Sequence, residues 1–440
     1  MSKSLTSNAV QVNAMGHLEI GGVDAIQLAK QFGTPLQVYD VKQIRNQIHH
    51  FQKVFKDNQV DYAVSYASKA FACIAMYQLC MQEDTHIDVV SGGELYTAIQ
   101  VGFPMDKVSF HGNNKSYAEL QMAVDHHVGT IMLDNFHEIA LLNDILEKND
   151  QEINVMLRLT LGIAAHTHKY DQTGQQDSKF GFDTESGQGA KALKQVMQNP
   201  RMHLIGYHTH IGSQIFDVKG FVQAAKKLMQ LAADWRDQYN YQPQVINVGG
   251  GFGIKYNEDD DPIPPEDFVD AIIKQMKQSS SELNLKMPAI WIEPGRSIVG
   301  PAGYSLYKIG SRKDVPGIES YVTVDGGMGD NIRPALYQAK YEGILANNPH
   351  GKITEHVRIA GKYCESGDIL IQDQALPYNQ AGDVLAILAT GAYGYSMASN
   401  YNRNGRPAVV FAENGQAQVV VKRESYADMC RLDKPLKTNN

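Results

Sequence analysis

Eight short apolar segments, each followed by an amphipathic stretch, recur between residues 63 and 300, and this rhythm narrows the possible folds more than any other feature of the chain. The segments are Ala63 to Ala67, Ile87 to Ser91, Lys107 to Gly112, Thr130 to Asp134, Val155 to Thr160, Leu204 to His210, Val245 to Gly249 and Ile290 to Glu293. β-Branched, aromatic and small residues dominate them, as in strands. Stretches between them, such as Tyr117 to His126, Phe136 to Lys148, Ala190 to Met197, Val222 to Trp235 and Pro265 to Leu283, carry helical spacing. Right-handed crossovers close eight such units into a parallel (β/α)8 TIM-like barrel, expected over residues 36–300. After Gly300 the rhythm changes to strand after strand: Tyr321 to Asp325, Val357 to Tyr363, Asp383 to Thr390, Val409 to Glu413 and Gln418 to Val421. A C-terminal all-β domain, barrel or sandwich, is expected over 301–440. Residues 1–35, with Leu18 to Ile20 as a strand, are expected to join it.

Composition bounds the chemistry. The chain has 440 residues, 43% of them hydrophobic, enough for two cores. No apolar stretch reaches the roughly 20 residues needed to span a bilayer, and Met1 to Met15 is polar, so a soluble, cytoplasmic protein is expected. A formal net charge of -8 with dispersed Lys and Arg argues against a nucleic-acid surface and for a small-molecule partner. Four cysteines are too few for a disulfide framework in so long a chain. Cys73 and Cys80, seven apart, are expected to face a core from one helix.

The loops after the strands of such a barrel share one mouth. Here they carry Lys69, Asp88, Ser91 to Glu94, His111, Asp134, Arg158, His208, His210, Gly249 to Gly251, Glu293 and Arg296. Lys69, in Tyr66-Ala67-Ser68-Lys69-Ala70, is a candidate amine nucleophile; its alternative is a snorkelling lysine at a strand end. Gly249, Gly250 and Gly251 free backbone N–H groups to approach a phosphate, and Ser213 adds a hydroxyl. His210 offers a ring to a flat ligand, although His208 and His210 also have the spacing of a metal pair. Glu293, before Pro294 and Gly295, can keep a ring nitrogen protonated. An amine, a phosphate cradle and a carboxylate together describe pyridoxal 5'-phosphate held by Lys69, with no metal. A glycosidase using Glu94 and Glu293 would leave the lysine and glycines without a role.

The motifs YASKA (66–70), DVVSGGEL (88–95), HGNNKS (111–116), TGQQDSKFGFD (173–183), HTHIGSQ (208–214), NVGGGFG (247–253), EPGR (293–296), DGGMGDNIRPALY (325–337), YCESGD (363–368) and GAYGYSMASNYN (391–402) follow in order. Through them the chain, from about Gly16 to Val421, resembles the diaminopimelate decarboxylases, within the alanine-racemase-like pyridoxal-phosphate enzymes that include ornithine and arginine decarboxylases. The resemblance implies decarboxylation of meso-2,6-diaminopimelate to L-lysine and carbon dioxide, the last step of lysine biosynthesis. It implies that Lys69 carries the cofactor as an imine, that His210 stacks on the ring and that Glu293 pairs with the ring nitrogen. Asp88, Ser213, Gly250, Gly251, Gly295, Arg296 and Tyr393 would complete the cofactor shell. Cys364 would protonate the carbanion, Glu365 would read the distal amino group, and Arg296, Arg333, Tyr337 and Tyr393 would bind substrate. Cys364 and Glu365 would arrive from the partner in a head-to-tail homodimer. An ornithine- or arginine-type substrate has no distal carboxylate for Arg333, a racemase would carry arginine in place of Glu293, and a non-catalytic regulator would be expected to lose Lys69 or Cys364.

Overall fold

A computed structural model describes residues 10–163 and 178–437; His166, His168 and the 173–177 part of one motif lie outside them. Eight parallel strands, Tyr62–Ala67, His86–Val89, Val108–Phe110, Thr130–Leu133, Ile153–Thr160, Met202–His208, Val245–Asn247 and Ala289–Ile292, pair in sequence order, and the last pairs back with the first. The barrel is therefore closed. Its strands read as near-continuous apolar runs because helices cover them outside while side chains fill the inside. Val64, Tyr66, Ile87, Val89, Phe110, Ile131, Leu157, Ile246 and Ile292 are all buried. Each such aliphatic side chain contributes roughly 1.5–3 kcal/mol.

Local chemistry starts the helices that turn the chain back. Ser91 caps Gly92–Val101 by accepting from the Glu94 N–H, and Ser116 with Glu119 forms a reciprocal capping box before Tyr117–Asp125. Asn135 accepts from the Glu138 N–H at the head of Phe136–Asn149. Cys73 lies outside the helix expected to hold it: it caps Ile74–Gln82, its Sγ accepting from the Met76 N–H, while Cys80 is buried inside that helix. Phe252, in the glycine-rich motif, packs on Phe51, Phe221 and Phe268 at centroid distances of 5.7, 5.1 and 5.6 Å. Three helices thus anchor that loop.

A lysine–glutamate pair is buried inside the barrel unit. Lys115 Nζ donates to Glu138 Oε1 at 2.7 Å, to the Met132 carbonyl at 2.8 Å and to the Gly112 carbonyl at 2.9 Å, with the two side chains 1% and 2% exposed. The ammonium ties the end of the third strand to the fourth. Removing one member strands the other charge, so Lys115→Met is expected to lower unfolding free energy by about 3–5 kcal/mol in denaturant melts. Lys115→Met with Glu138→Leu should recover most of that loss; a single variant as stable as wild type would refute the pairing argument.

The second unit is a sheet running Ile369–Pro377, Ile353–Ala360, Glu319–Val324, Gly303–Val315, Leu36–Asp40, Ala408–Glu413, Gln416–Val421. Gly343–Leu345 and Val384–Ile387 extend it, and Gln11–Val12, Leu18–Ile20 and Val23–Asp24 form a small sheet of their own. The barrel does not begin at residue 36. Leu36–Asp40, buried at all five positions, pairs antiparallel with Gly303–Val315 and parallel with Ala408–Glu413. The compact units are accordingly 1–44, 255–260 and 299–440, against 45–254 with 261–298. The sheet unit, built mainly of strands as expected, also holds the short helices Ala25–Phe32, Arg333–Tyr337 and Tyr426–Cys430. Among the described residues no helix is long and apolar enough to cross a membrane.

Candidate active site

Glu293 closes the last barrel strand and is buried. Its Oε2 accepts from His208 Nε2 at 3.0 Å, its Oε1 accepts from Asn247 Nδ2 at 2.6 Å, and His111 Nε2 stands 3.1 Å from Oε1 without hydrogen-bond alignment. Burial works to raise this carboxyl, but the His111 and His208 imidazoles outweigh it and hold Glu293 well below the usual carboxylate range. Burial pushes His208 down to about 4, so it donates as a neutral ring. Three elements thereby keep one carboxylate ionised. The His111, His208 and Glu293 donor atoms all lie within 4.8 Å of one another, near enough to bind a metal ion. His208 Nδ1, however, has no hydrogen-bond partner among the described residues, and a metal-bound histidine ordinarily needs one. The His208 and His210 pair expected as the metal alternative points two ways: His208 to Glu293, His210 to the glycine loop.

His210 Nδ1 accepts from the Gly250 N–H at 3.3 Å, which fixes its ring, and burial with Lys69 nearby keeps it neutral. A Cβ on Gly250 would sit 2.0 Å from the Glu293 carbonyl oxygen, so no other residue fits there. Gly251 continues the turn, and Ser213 Oγ accepts from Arg296 Nη2 at 2.9 Å. Hydroxyl, guanidinium and bare backbone are thus brought together.

Lys69 occupies a single 3-10 turn, Ser68–Ala70, directly after the first strand, with its side chain exposed. The Pro294 carbonyl accepts from the Ala67 N–H at 3.2 Å, and a Cβ on Gly295 would crowd Ala67 and Ala70 at 2.9 and 3.0 Å. Gly295 therefore lets the Glu293 turn lie against the Lys69 turn. Asp88, buried at the second strand, is pushed up to about 6 by burial, which the nearby His111 partly opposes. Arg158, half-buried, stands 3.9 Å from Asp134; desolvation lowers its pKa while Asp134 sustains the charge. Glu94 turns back to accept the Val90 N–H at 2.8 Å at its own helix start, and burial raises it to about 7. That capping contact replaces the glycosidase role.

In the sheet unit, Arg333 is buried and Tyr337 is half-buried, with the guanidinium carbon 5.9 Å from its ring. Cys364 and Glu365 are exposed, and the Cys364 N–H donates to Asn402 Oδ1 at 2.8 Å. Tyr393 adopts φ +60°. His111 and His208 stand in the sequence only as polar strand ends and Asn247 only as the first residue of NVGGGFG; their common target, Glu293, is not visible there. Their signal was position, since each lies at or just beyond the end of a barrel strand.

The barrel residues fit pyridoxal phosphate. An ionised, enclosed carboxylate suits a protonated pyridine nitrogen, a side-chain-free loop beside Ser213 and Arg296 suits a phosphate, and an exposed amine suits an aldehyde. A family model described as the pyridoxal binding domain of pyridoxal-dependent decarboxylases matches residues 41–300, and one for their C-terminal sheet domain matches 215–391. A diaminopimelate decarboxylase of Bacillus methanolicus is 57% identical over 414 residues, 94% of this chain and 96% of that one. One from Bacillus subtilis (strain 168) is 56% identical over 426 residues, 97% of each. The crystal structure of an M. jannaschii diaminopimelate decarboxylase with L-lysine superposes with a TM-score of 0.91 at 36% identity, covering 98% of both chains. Likeness at this level over nearly the whole length places the chain in the diaminopimelate decarboxylase family of pyridoxal-dependent decarboxylases.

Proposed function

We propose that this chain decarboxylates meso-diaminopimelate to L-lysine, working in the cytoplasm as a dimer. The observation that carries the substrate choice is Arg333: an arginine only 6% exposed, with no carboxylate in ion-pair range among the described residues. A buried cation without a counter-ion favours an anionic ligand group. Diaminopimelate carries a carboxylate at its far end; ornithine and arginine do not.

Pyridoxal phosphate, when bound, supplies the conjugated system that takes up the bonding electrons of the departing carboxylate. In this reading the exposed Lys69 amine would hold the cofactor through its aldehyde. Glu293 would keep a proton on the ring nitrogen, His210 would face the ring, and Gly250, Gly251, Ser213, Arg296 and Tyr393 would hold the phosphate end, with Asp88 and Gly295 completing the shell. Cys364 delivers the proton that replaces carbon dioxide. Glu365 takes the distal ammonium, and Arg333, with Tyr337 and Arg296, the distal carboxylate. The exposed Cys364 and Glu365 suit a role in the partner's site of a head-to-tail dimer. With purified protein, turnover of meso-diaminopimelate should exceed that of ornithine, arginine and lysine by at least about a hundredfold, since a site built for a charged group rejects ligands lacking it. Faster turnover of any of the three would overturn the assignment.

A further inference from the structure

Arg333 opens the short helix Arg333–Tyr337, and its Nη1 donates to two phenol oxygens: Tyr256 Oη at 2.9 Å and Tyr341 Oη at 2.7 Å. The two tyrosines are 6% and 3% exposed, and their rings meet edge-on at 5.2 Å. They flank the guanidinium carbon at 5.1 and 5.8 Å. A guanidinium has five N–H donors in a rigid plane, two of them on Nη1. Both Nη1 hydrogens are therefore occupied. Nε and Nη2 donate to no described residue, and together they form the side edge that binds a carboxylate through two parallel bonds.

Neutral phenols orient a cation without neutralising it. Aspartate or glutamate in their place would satisfy the same hydrogens and cancel the charge that an incoming carboxylate needs. The sequence around both tyrosines fixes them in place. Tyr256 lies in the 255–260 segment that clusters with the sheet unit, where Asp260 Oδ2 accepts from the Tyr256 N–H at 2.9 Å and the Asn257 N–H at 3.2 Å. Lys340, adjacent to Tyr341, pairs with Asp259 at 3.2 Å. The loop bearing one tyrosine is thus tied beside the other.

We propose that Tyr256 and Tyr341 are specificity-determining positioning residues: by occupying both Nη1 hydrogens of Arg333 they leave only its Nε/Nη2 edge for the distal carboxylate of the substrate. This rests on the reading that Arg333 holds that carboxylate. The alternative is that the hydroxyls merely satisfy a buried arginine, which would affect stability alone.

The test uses the holoenzyme with Tyr256→Phe and Tyr341→Phe, each of which keeps the ring and removes only the hydroxyl. L-Lysine retains the distal amino-acid head, whereas cadaverine, the corresponding diamine, lacks its carboxylate. Each variant should raise KM for meso-diaminopimelate and Kd for L-lysine about tenfold, the loss of one hydrogen bond to a charged group. Turnover number and cadaverine affinity should stay near wild type. Unchanged KM and L-lysine affinity, or equal weakening of L-lysine and cadaverine, would overturn the proposal. Arg333→Gln separates the two levels: if it leaves L-lysine affinity unchanged, the underlying reading of Arg333 fails. If it weakens L-lysine while both tyrosine variants bind normally, only the tyrosine proposal fails.

Discussion

Replacing Lys69 with alanine is expected to lower turnover by about 10⁴-fold or more, the scale seen when a covalent catalytic group is removed. The turn that carries Lys69 owes its position to contacts made by others: Ala67 to Pro294, and Ala67 and Ala70 to Gly295. The Lys69 side chain is exposed, so its truncation should leave the thermal transition within a few degrees of wild type. Borohydride should fix the cofactor covalently to the wild-type protein and leave none on the variant, as read by mass. If the active site is shared across a dimer, mixing Lys69→Ala with Cys364→Ala subunits should restore activity absent from either alone. Near wild-type turnover in Lys69→Ala would end the imine assignment.

Glu293→Gln carries the second large effect. Glutamine keeps the size of the side chain and an oxygen for Asn247, but loses the charge that the His111 and His208 imidazoles sustain. An amide cannot hold a proton on a pyridine nitrogen, so the cofactor should remain attached to Lys69 while turnover drops about 10³-fold, comparable to deleting a preorganised electrostatic contact. Cofactor occupancy read by absorbance against kcat distinguishes this from simple loss of binding. A variant with unchanged kcat would show that Glu293 is structural.

The barrel was legible because its strands are buried on both faces, so the apolar run itself marks each one; the eight expected segments match the eight observed within a few residues. Lys69, Glu293 and the glycines stand out in the sequence as candidates for a related reason, since each ends an apolar run with a residue that apolar burial does not call for. Leu36–Asp40 was assigned to the wrong unit because its neighbours lie far along the chain. Its Gln37 looks like a surface residue until Ser305 and Thr390 meet its amide. The strand Gly303–Val315 is obscured by its exposed second half, Gly310 to Asp314. The clasp on Arg333 and the imidazoles on Glu293 join residues from separate elements, and no spacing in one dimension encodes either.

The central position of Leu36–Asp40 bears on how the chain is made. Its two neighbouring strands come from Gly303–Val315 and Ala408–Glu413, with the barrel sequence in between. During synthesis that early strand leaves the ribosome with both edges unpaired and stays so until the last part of the chain follows. The barrel, encoded almost without interruption, has all its own contacts available first. The sheet unit therefore closes last, and the long interval in which a buried strand waits for its partners is where this chain is most exposed to mispairing and aggregation.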